Sequence, residues 1–376
     1  MKNFIHSIKI AMFGILLHFN LFSQDYKGLY VDQFHQIVGN INKEDSLLNY
    51  AKANGFNALT FYNLHQIDLS DGSNVLKLKN FISKAKLNYG IEEFSATAEN
   101  FWFFENKILP FNQQVNNDEK FTCLNLEFEF WVPESVSNYY CTTYLQPNGY
   151  TCDEEGAFQF YMNELNSIYN LAQNNQLKTE IYLGWFNQNQ ADQVKTKCDR
   201  ILLSNYHQDP NFCFDYSLQR LQYLGNSTPS IEVATLFSGE NSFLNPWLTT
   251  NNYNLDACFT NFSNEYANEN GLWKNNIQLI GQQWFTYTQL PYYLPEEQSN
   301  KIDEKNDEHF YFTNPVENYC ILSSSFDLKT ELHLFDYSGQ EITIEKNNEN
   351  VLNLKNLNSG LYFLEYKQNK FKLIKL

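Results

Sequence analysis

From Gly28 to Trp284 the chain repeats one pattern. A short run rich in β-branched and aromatic residues is followed by a longer stretch with apolar residues every three or four positions. The short runs predict strands over Gly28–Phe34, Asn57–Tyr62, Ile91–Ser95, Phe121–Trp131, Thr179–Phe186, Arg200–Tyr206, Ser230–Phe237 and Ile277–Trp284. The longer stretches predict helices over Lys43–Asn54, ended by Gly55, and Asn74–Asn88, closed by Gly90. Further helices are predicted over Glu154–Asn174, Ala191–Cys198, Tyr216–Leu224 and Leu255–Asn268, with an aromatic loop through Phe101 to Phe104. Repeated strand-then-helix units argue a parallel sheet, and eight of them argue closure into an α/β (β/α)8 TIM-type barrel. The alternative is an open doubly wound sheet. It usually carries a Gly-rich turn after its first strand, and Phe34-His35-Gln36 stands there.

The pattern changes after the last strand. Residues 292–308 form an acidic linker, and from residue 309 apolar runs alternate with Asp-x-x-Gly and Asn-x-x-Gly turns, as in a small antiparallel β-sandwich. At the other end, Lys2 and Lys9 precede an apolar run from Ile10 to Leu17, and Ser23 is a small residue before Gln24. That is a signal-peptide pattern over residues 1–23, too short for a membrane span. No other run reaches the ~18 apolar residues of a transmembrane helix, so no stable membrane span is expected. The barrel then takes residues 24–291, close to the ~250 typical of the fold.

The tail carries a specific signature. Asn314-Pro315-Val316-Glu317-Asn318 opens it, Leu332-His333-Leu334-Phe335-Asp336-Tyr337-Ser338-Gly339 follows, then Ser359-Gly360-Leu361-Tyr362 and a basic end from Lys370. These motifs, in this order, resemble the type A C-terminal sorting domain of the type IX secretion system over residues 309–376. The resemblance implies export through the periplasm, recognition by the type IX machinery, removal of the tail, and secretion or attachment to the outer cell surface.

Charge and cysteine usage narrow the partners. Net charge is −17, and Arg200 and Arg220 are the only arginines, so no nucleic-acid partner is expected and anionic membrane is disfavoured. All seven cysteines but Cys320 lie in the central region. Cys141 and Cys152 flank a Pro147-Asn148-Gly149 turn and are the expected disulfide, with Cys198 and Cys213 as a second candidate pair. No cysteine or histidine set has zinc-ligand spacing, so neither metal nor cofactor is expected.

The fourth strand carries the candidate chemistry. In Cys123-Leu124-Asn125-Leu126-Glu127-Phe128-Glu129-Phe130-Trp131 alternate side chains share a face. Leu124, Leu126, Phe128 and Phe130 then lie under the helices, while Asn125, Glu127 and Glu129 point into the barrel. Two carboxylates on one inward face repel each other and are desolvated, which raises at least one pKa, as a general acid at neutral pH requires. With arginine nearly absent, structural ion pairing would fall to lysine.

This strand resembles the D-x-D-x-E end of the fourth strand in family 18 glycoside hydrolases, which cleave N-acetylglucosamine-containing glycans. The resemblance implies Glu129 as the proton donor and Glu127 as the group that orients the substrate's acetamido arm. It implies Tyr206 as a hydrogen-bond partner of that arm, and Trp284 as a floor under the sugar. Asn125 stands where the family has Asp, Glu127 is a carbon longer than the usual Asp, and Glu92-Glu93-Phe94-Ser95 replaces the family's Ser-x-Gly-Gly. Other strand ends fit a sugar cleft: Trp131, Trp185, Asn187, Asn205, His207 and Glu240. At most one of Glu92 and Glu93 points inward, and His207 before Asp209 reads best as a surface turn. No Gly-x-Ser-x-Gly elbow is present, which leaves acyl-transfer hydrolysis without support. The sequence therefore predicts a secreted or surface glycoside hydrolase-like protein, or alternatively a non-catalytic glycan-binding or adhesive protein on the same barrel.

Overall fold

A computed structural model describes residues 26–290, and in the tail residues 319–321, 332–336, 340–343, 345–346, 351–366 and 369–375. The signal-peptide segment, the acidic linker and the Asn-Pro-Val opening of the tail lie outside the described residues. The chain separates into two compact units, Met1–Pro295 and Glu296–Leu376.

The first unit is a closed barrel of eight parallel strands: β1 Tyr26–Val31, β2 Ala58–Phe61, β3 Glu93–Ala98, β4 Cys123–Leu126, β5 Lys178–Leu183, β6 Arg200–Ser204, β7 Ile231–Ser238 and β8 Ile277–Phe285. Strand β8 pairs with β1 and closes the ring, so the open-sheet alternative falls. Period-2 alternation sorts the side chains into two layers. On β5, Ile181 and Leu183 join the layer under the helices, whereas Tyr182 faces inward to meet Tyr30, Leu202, Ala234 and Leu236.

The helices follow the same logic. In Glu154–Asn174, Phe158, Tyr161, Leu165, Ile168 and Ala172 recur at three- and four-residue steps and are buried. Asp153 caps its start by accepting from the Gly156 N–H at 2.8 Å. Residues 101–114, expected to begin as a loop, are helical instead. Asn100 caps the first turn, and Phe104, Ile108 and Phe111, spaced by four and three, bury its inner face. The run of adjacent aromatics hid that spacing.

One bulge decides which residues of β8 face inward. In β8 the register slips opposite Val233 and Ala234, and Gly281 takes a φ of +149°. A Cβ there would sit 1.9 Å from the Tyr26 carbonyl oxygen, so a residue without a side chain is required. The slip exchanges the faces of every residue after it. Ile280 packs in the barrel interior, but Trp284, on the same parity, packs under the helices, and Phe285 takes the inward place.

The second unit has two antiparallel sheets. One runs Glu341–Ile342, Leu332–Asp336, Gly360–Tyr366 and Asn369–Lys375; the other runs Glu345–Lys346, Val351–Asn353 and Tyr319–Ile321. Leu334, Leu364 and Leu373 from the first share one core with Cys320 and Leu352 from the second, as a sandwich requires.

Candidate functional site

Strand β4 ends at Leu126, shorter than predicted, yet its inward–outward alternation continues through residue 130. The Glu127 N–H still bonds the Ala98 carbonyl, and Phe128 and Phe130 are fully buried in the outer core. Glu127 and Glu129 open instead into a cleft of about 510 Å³. The cleft lies at the end of the barrel to which the strands point with their C-termini, where sites on this fold are built.

The cleft walls come from the segments after β2, β3 and β4. Tyr62, Asn63 and His65 follow β2, Glu99 and Asn100 follow β3, and Tyr139, Tyr140 and Tyr144 follow β4. Among the described residues that line it there is no lysine or arginine. Burial, then the neighbouring Glu129 charge, pushes the Glu127 carboxyl well above the usual carboxylate range. Its Oε2 is wholly buried and has no hydrogen-bond partner. Burial also raises Glu129, aided by the charge of Glu99 and opposed by the Tyr182 hydroxyl. Tyr182 and Tyr206 lie close enough to Glu129 for their hydroxyls to interact with its carboxyl's charge. Tyr206 stacks beside Tyr182 with ring centroids 6.3 Å apart and meets Phe285 at 6.2 Å.

The remaining sequence candidates divide. Trp131 does not line the cleft; it lies edge-on to Tyr182 at 5.4 Å and lines a second hollow of about 340 Å³. Trp185 is half exposed and also outside the cleft lining, with the Arg220 guanidinium 4.6 Å from its ring centroid. Asn125 is fully buried: it donates to Glu180 at 2.6 Å and accepts from Tyr30 and Thr97, so it stays below the cleft. Asn205 is fully buried and donates to Thr235 at 3.1 Å. Asn187 caps the helix Gln188–Val194 by accepting from the Gln190 N–H at 3.0 Å, which is a structural duty. Trp284 is not at the cleft. The β8 bulge turns it into the outer core against Phe237, and Phe285 is the aromatic ring that β8 offers inward.

His207 is tied into the turn the sequence suggested, accepting from the Asp209 N–H at 3.1 Å. Glu240 accepts from Ser238 at 2.9 Å. Of the two adjacent acids on β3, Glu93 points inward and Glu92 is exposed. The disulfide Cys141–Cys152 is formed, while Cys198 and Cys213 are free buried thiols. These last two precede and follow β6, and a five-residue strand between them exceeds the ~7 Å Cα separation a disulfide tolerates.

Among the described residues, Glu93, Cys123 and Glu180 bring three ligand-type atoms within 4.8 Å of one another. Arg200, fully buried, already serves them: its Nε donates to Glu180 at 2.6 Å and its Nη2 to Glu93. This cluster sits at the opposite end of the barrel from the cleft. There Arg200 and Glu93 each begin a strand, and conserving charge balance is a matter of stability.

Sequence reasoning missed Glu99 and the tyrosine wall. Glu99 follows β3 directly, but the predicted strand stopped at Ser95, three residues short of its true end at Ala98. Tyr139, Tyr140 and Tyr144 belong to an irregular segment whose only legible signal was the Cys141–Cys152 pair that closes it.

Residues 311–376 match the secretion system C-terminal sorting domain. The tail therefore marks the protein for the type IX machinery and for secretion or attachment to the outer cell surface. No curated protein matches the chain. Among solved structures, the chain is similar to a β-glucosidase from Exiguobacterium marinum (10% identity, 70% of this chain and 89% of that one, TM-score 0.42). It is also similar to a modular endo-β-1,4-mannanase from Cellulomonas fimi (7% identity, 94% of each chain, TM-score 0.41). An aldolase from Escherichia coli K12 is alike to a comparable extent (8% identity, 69% of this chain and 74% of that one, TM-score 0.36). Likeness at this level, spread over unrelated chemistries, assigns no reaction.

Proposed function

We propose that the barrel is a glycoside hydrolase acting on N-acetylglucosamine-containing glycans, with Glu129 as the proton donor. The observation that carries this reading is the pair Glu127 and Glu129 in one tyrosine-walled cleft, both with raised carboxyl pKa values. A carboxyl that keeps its proton near neutral pH can deliver it to a glycosidic oxygen. Tyr182 helps set the pKa of the Glu129 carboxyl, and Tyr206 stacks beside Tyr182.

Glu127 has the complementary task. Its Oε2 lacks a partner, so it is free to meet a polar group of the substrate, and an acetamido arm brings both a donor and an acceptor. Tyr62, Tyr139 and Tyr144 offer aromatic area for pyranose faces and hydroxyls for their rims. A lining with three glutamates, one histidine and neither lysine nor arginine disfavours uronic, sialic or sulfated sugars, which favours a neutral glycan. Trp131, in the second hollow, and the half-exposed Trp185 offer further aromatic area outside the cleft.

A second reading, glycan binding without cleavage, is favoured by Asn125. It stands where the resemblance has an acid, and its side chain is spent on Glu180, Tyr30 and Thr97. No third carboxyl then shares a proton with Glu127 from below.

The test is incubation of the exported protein with N-acetylglucosamine oligomers and high-mannose N-glycans, with products read by mass spectrometry. Cleavage that falls at least ~100-fold in Glu129→Gln, with the barrel still folded, supports the hydrolase. Binding of oligomers with no product over long incubation supports the second reading. Full activity in Glu129→Gln overturns the assignment of the acid.

A further inference from the structure

The segment from Val132 to Asp153, between β4 and the helix Glu154–Asn174, supplies Tyr139, Tyr140 and Tyr144 to the cleft. Pro133–Ser137 is one helical turn, and residues 139–148 form a short irregular helical run. Val136, Tyr140 and Leu145 anchor it in the core, and side-chain ties join it to the cleft. The Tyr140 ring stacks on Phe128 with centroids 4.0 Å apart, and its hydroxyl accepts from the Glu129 backbone N–H at 3.3 Å. Tyr144 and Tyr139 donate to the same oxygen of Glu99, at 2.5 and 3.1 Å.

The ties to Glu129 and Glu99 join the cleft to residues beside or within the Cys141–Cys152 loop, and the stack on Phe128 joins that loop to the core. The disulfide closes that loop across 11 residues, with Tyr139 and Tyr140 immediately before it and Tyr144 inside it. The other barrel cysteines, Cys123, Cys198, Cys213 and Cys258, are buried free thiols. Among the described barrel residues, then, redox change acts on the one bond that anchors the cleft wall.

We propose that the Cys141–Cys152 disulfide is the latch that completes the cleft, so that the protein acquires its binding wall only in an oxidising compartment, after export. Cys141, Cys152 and Glu99 are positioning residues in this scheme: they touch no substrate and fix the tyrosines that do. Closing the latch takes two protons and two electrons from the two thiols. They pass to a disulfide-bearing oxidant, which leaves as a dithiol. While reduced, the segment keeps its side-chain ties but not the covalent loop that brings them to register, and the cytoplasm keeps thiols reduced. The barrel strands do not depend on the latch, because β4 and its neighbours are held by their own hydrogen-bonded ladder.

The inference rests on the cleft being the binding site, so its test has one arm that needs no sugar. Hydrogen exchange of the full chain is compared in the oxidised form, after dithiothreitol, and in Cys141→Ser/Cys152→Ser. Loss of protection over residues 132–153 with β1–β8 unchanged is expected; unchanged protection of that segment overturns the latch. The second arm measures N-acetylglucosamine tetrasaccharide binding to Glu129→Gln by calorimetry. A fall of at least ~10-fold on reduction, restored by reoxidation, is expected, and equal affinity in both redox forms overturns the latch. If neither form binds the sugar, the proposed function fails, and the exchange arm alone decides the latch.

Discussion

The Tyr182 hydroxyl on β5 interacts with the Glu129 carboxyl beyond the end of β4 and opposes the rise in its pKa that burial causes. Tyr182 thereby helps set the pH at which the acid releases its proton.

Removing that hydroxyl separates the two effects. In Tyr182→Phe the Glu129 pKa should rise further, because the interaction that favoured the ionised form is gone. The alkaline limb of a pH–rate profile, which reports loss of the donor's proton, should move up by about one pH unit. A profile that does not move, or moves down, would separate Tyr182 from the acid.

Glu127 should limit stability rather than add to it. Its folded pKa lies above the unfolded value of ~4.3, so its contribution is present below that pH and is lost as pH rises through the folded pKa. Glu127→Gln should be more stable than the parent at pH 8 by about 1–3 kcal/mol, with little difference at pH 4. Urea unfolding followed by tryptophan fluorescence reads this directly, since every tryptophan lies in the barrel.

Gly184 is small because Trp131 lies across it. A Cβ at Gly184 would stand 2.4 Å from the Trp131 indole nitrogen. Gly184→Ala should push the indole off Tyr182, cost about 1–3 kcal/mol, and weaken oligomer binding more than it lowers turnover of bound substrate. Comparing KM with kcat in this variant checks it, and an unchanged KM argues against Trp131 as a platform.

Arg200 should matter to folding alone. Arg200→Met leaves Glu180 buried without its guanidinium partner and should cost about 3–5 kcal/mol. Adding Glu180→Gln should recover much of that loss, because the unpaired charge goes with it. A thermal unfolding cycle over the four proteins measures the coupling. Cleft activity in the double variant should match the parent at temperatures where both are folded.

Much of this molecule was legible in one dimension. Local rules set the Glu154–Asn174 and Leu255–Asn268 helices, whose bounds the structure repeats, because the apolar spacing and the N-caps lie within a few residues of each other. Period-2 alternation placed Phe128 and Phe130 outward and Glu127 and Glu129 inward, and the extended chain keeps that alternation for four residues past the end of β4. The ordered motifs of the tail and the Cys141–Cys152 pair were equally local signals.

The tertiary structure decided the rest, for reasons that act between distant residues. A single slip in β8, forced where Gly281 meets Tyr26, sent Trp284 to the core and Phe285 to the interior. Arg200 gathered Glu93 and Glu180 from two other strands, which made inward acids on β3 and β5 structural and left those on β4 without a cation. The cleft wall joins Tyr62, Glu99 and Tyr144 from three separate connections. The order of residues along the chain fixes which way each strand's side chains alternate. Only closure of the barrel brings the ends of those strands together, and the site exists only there.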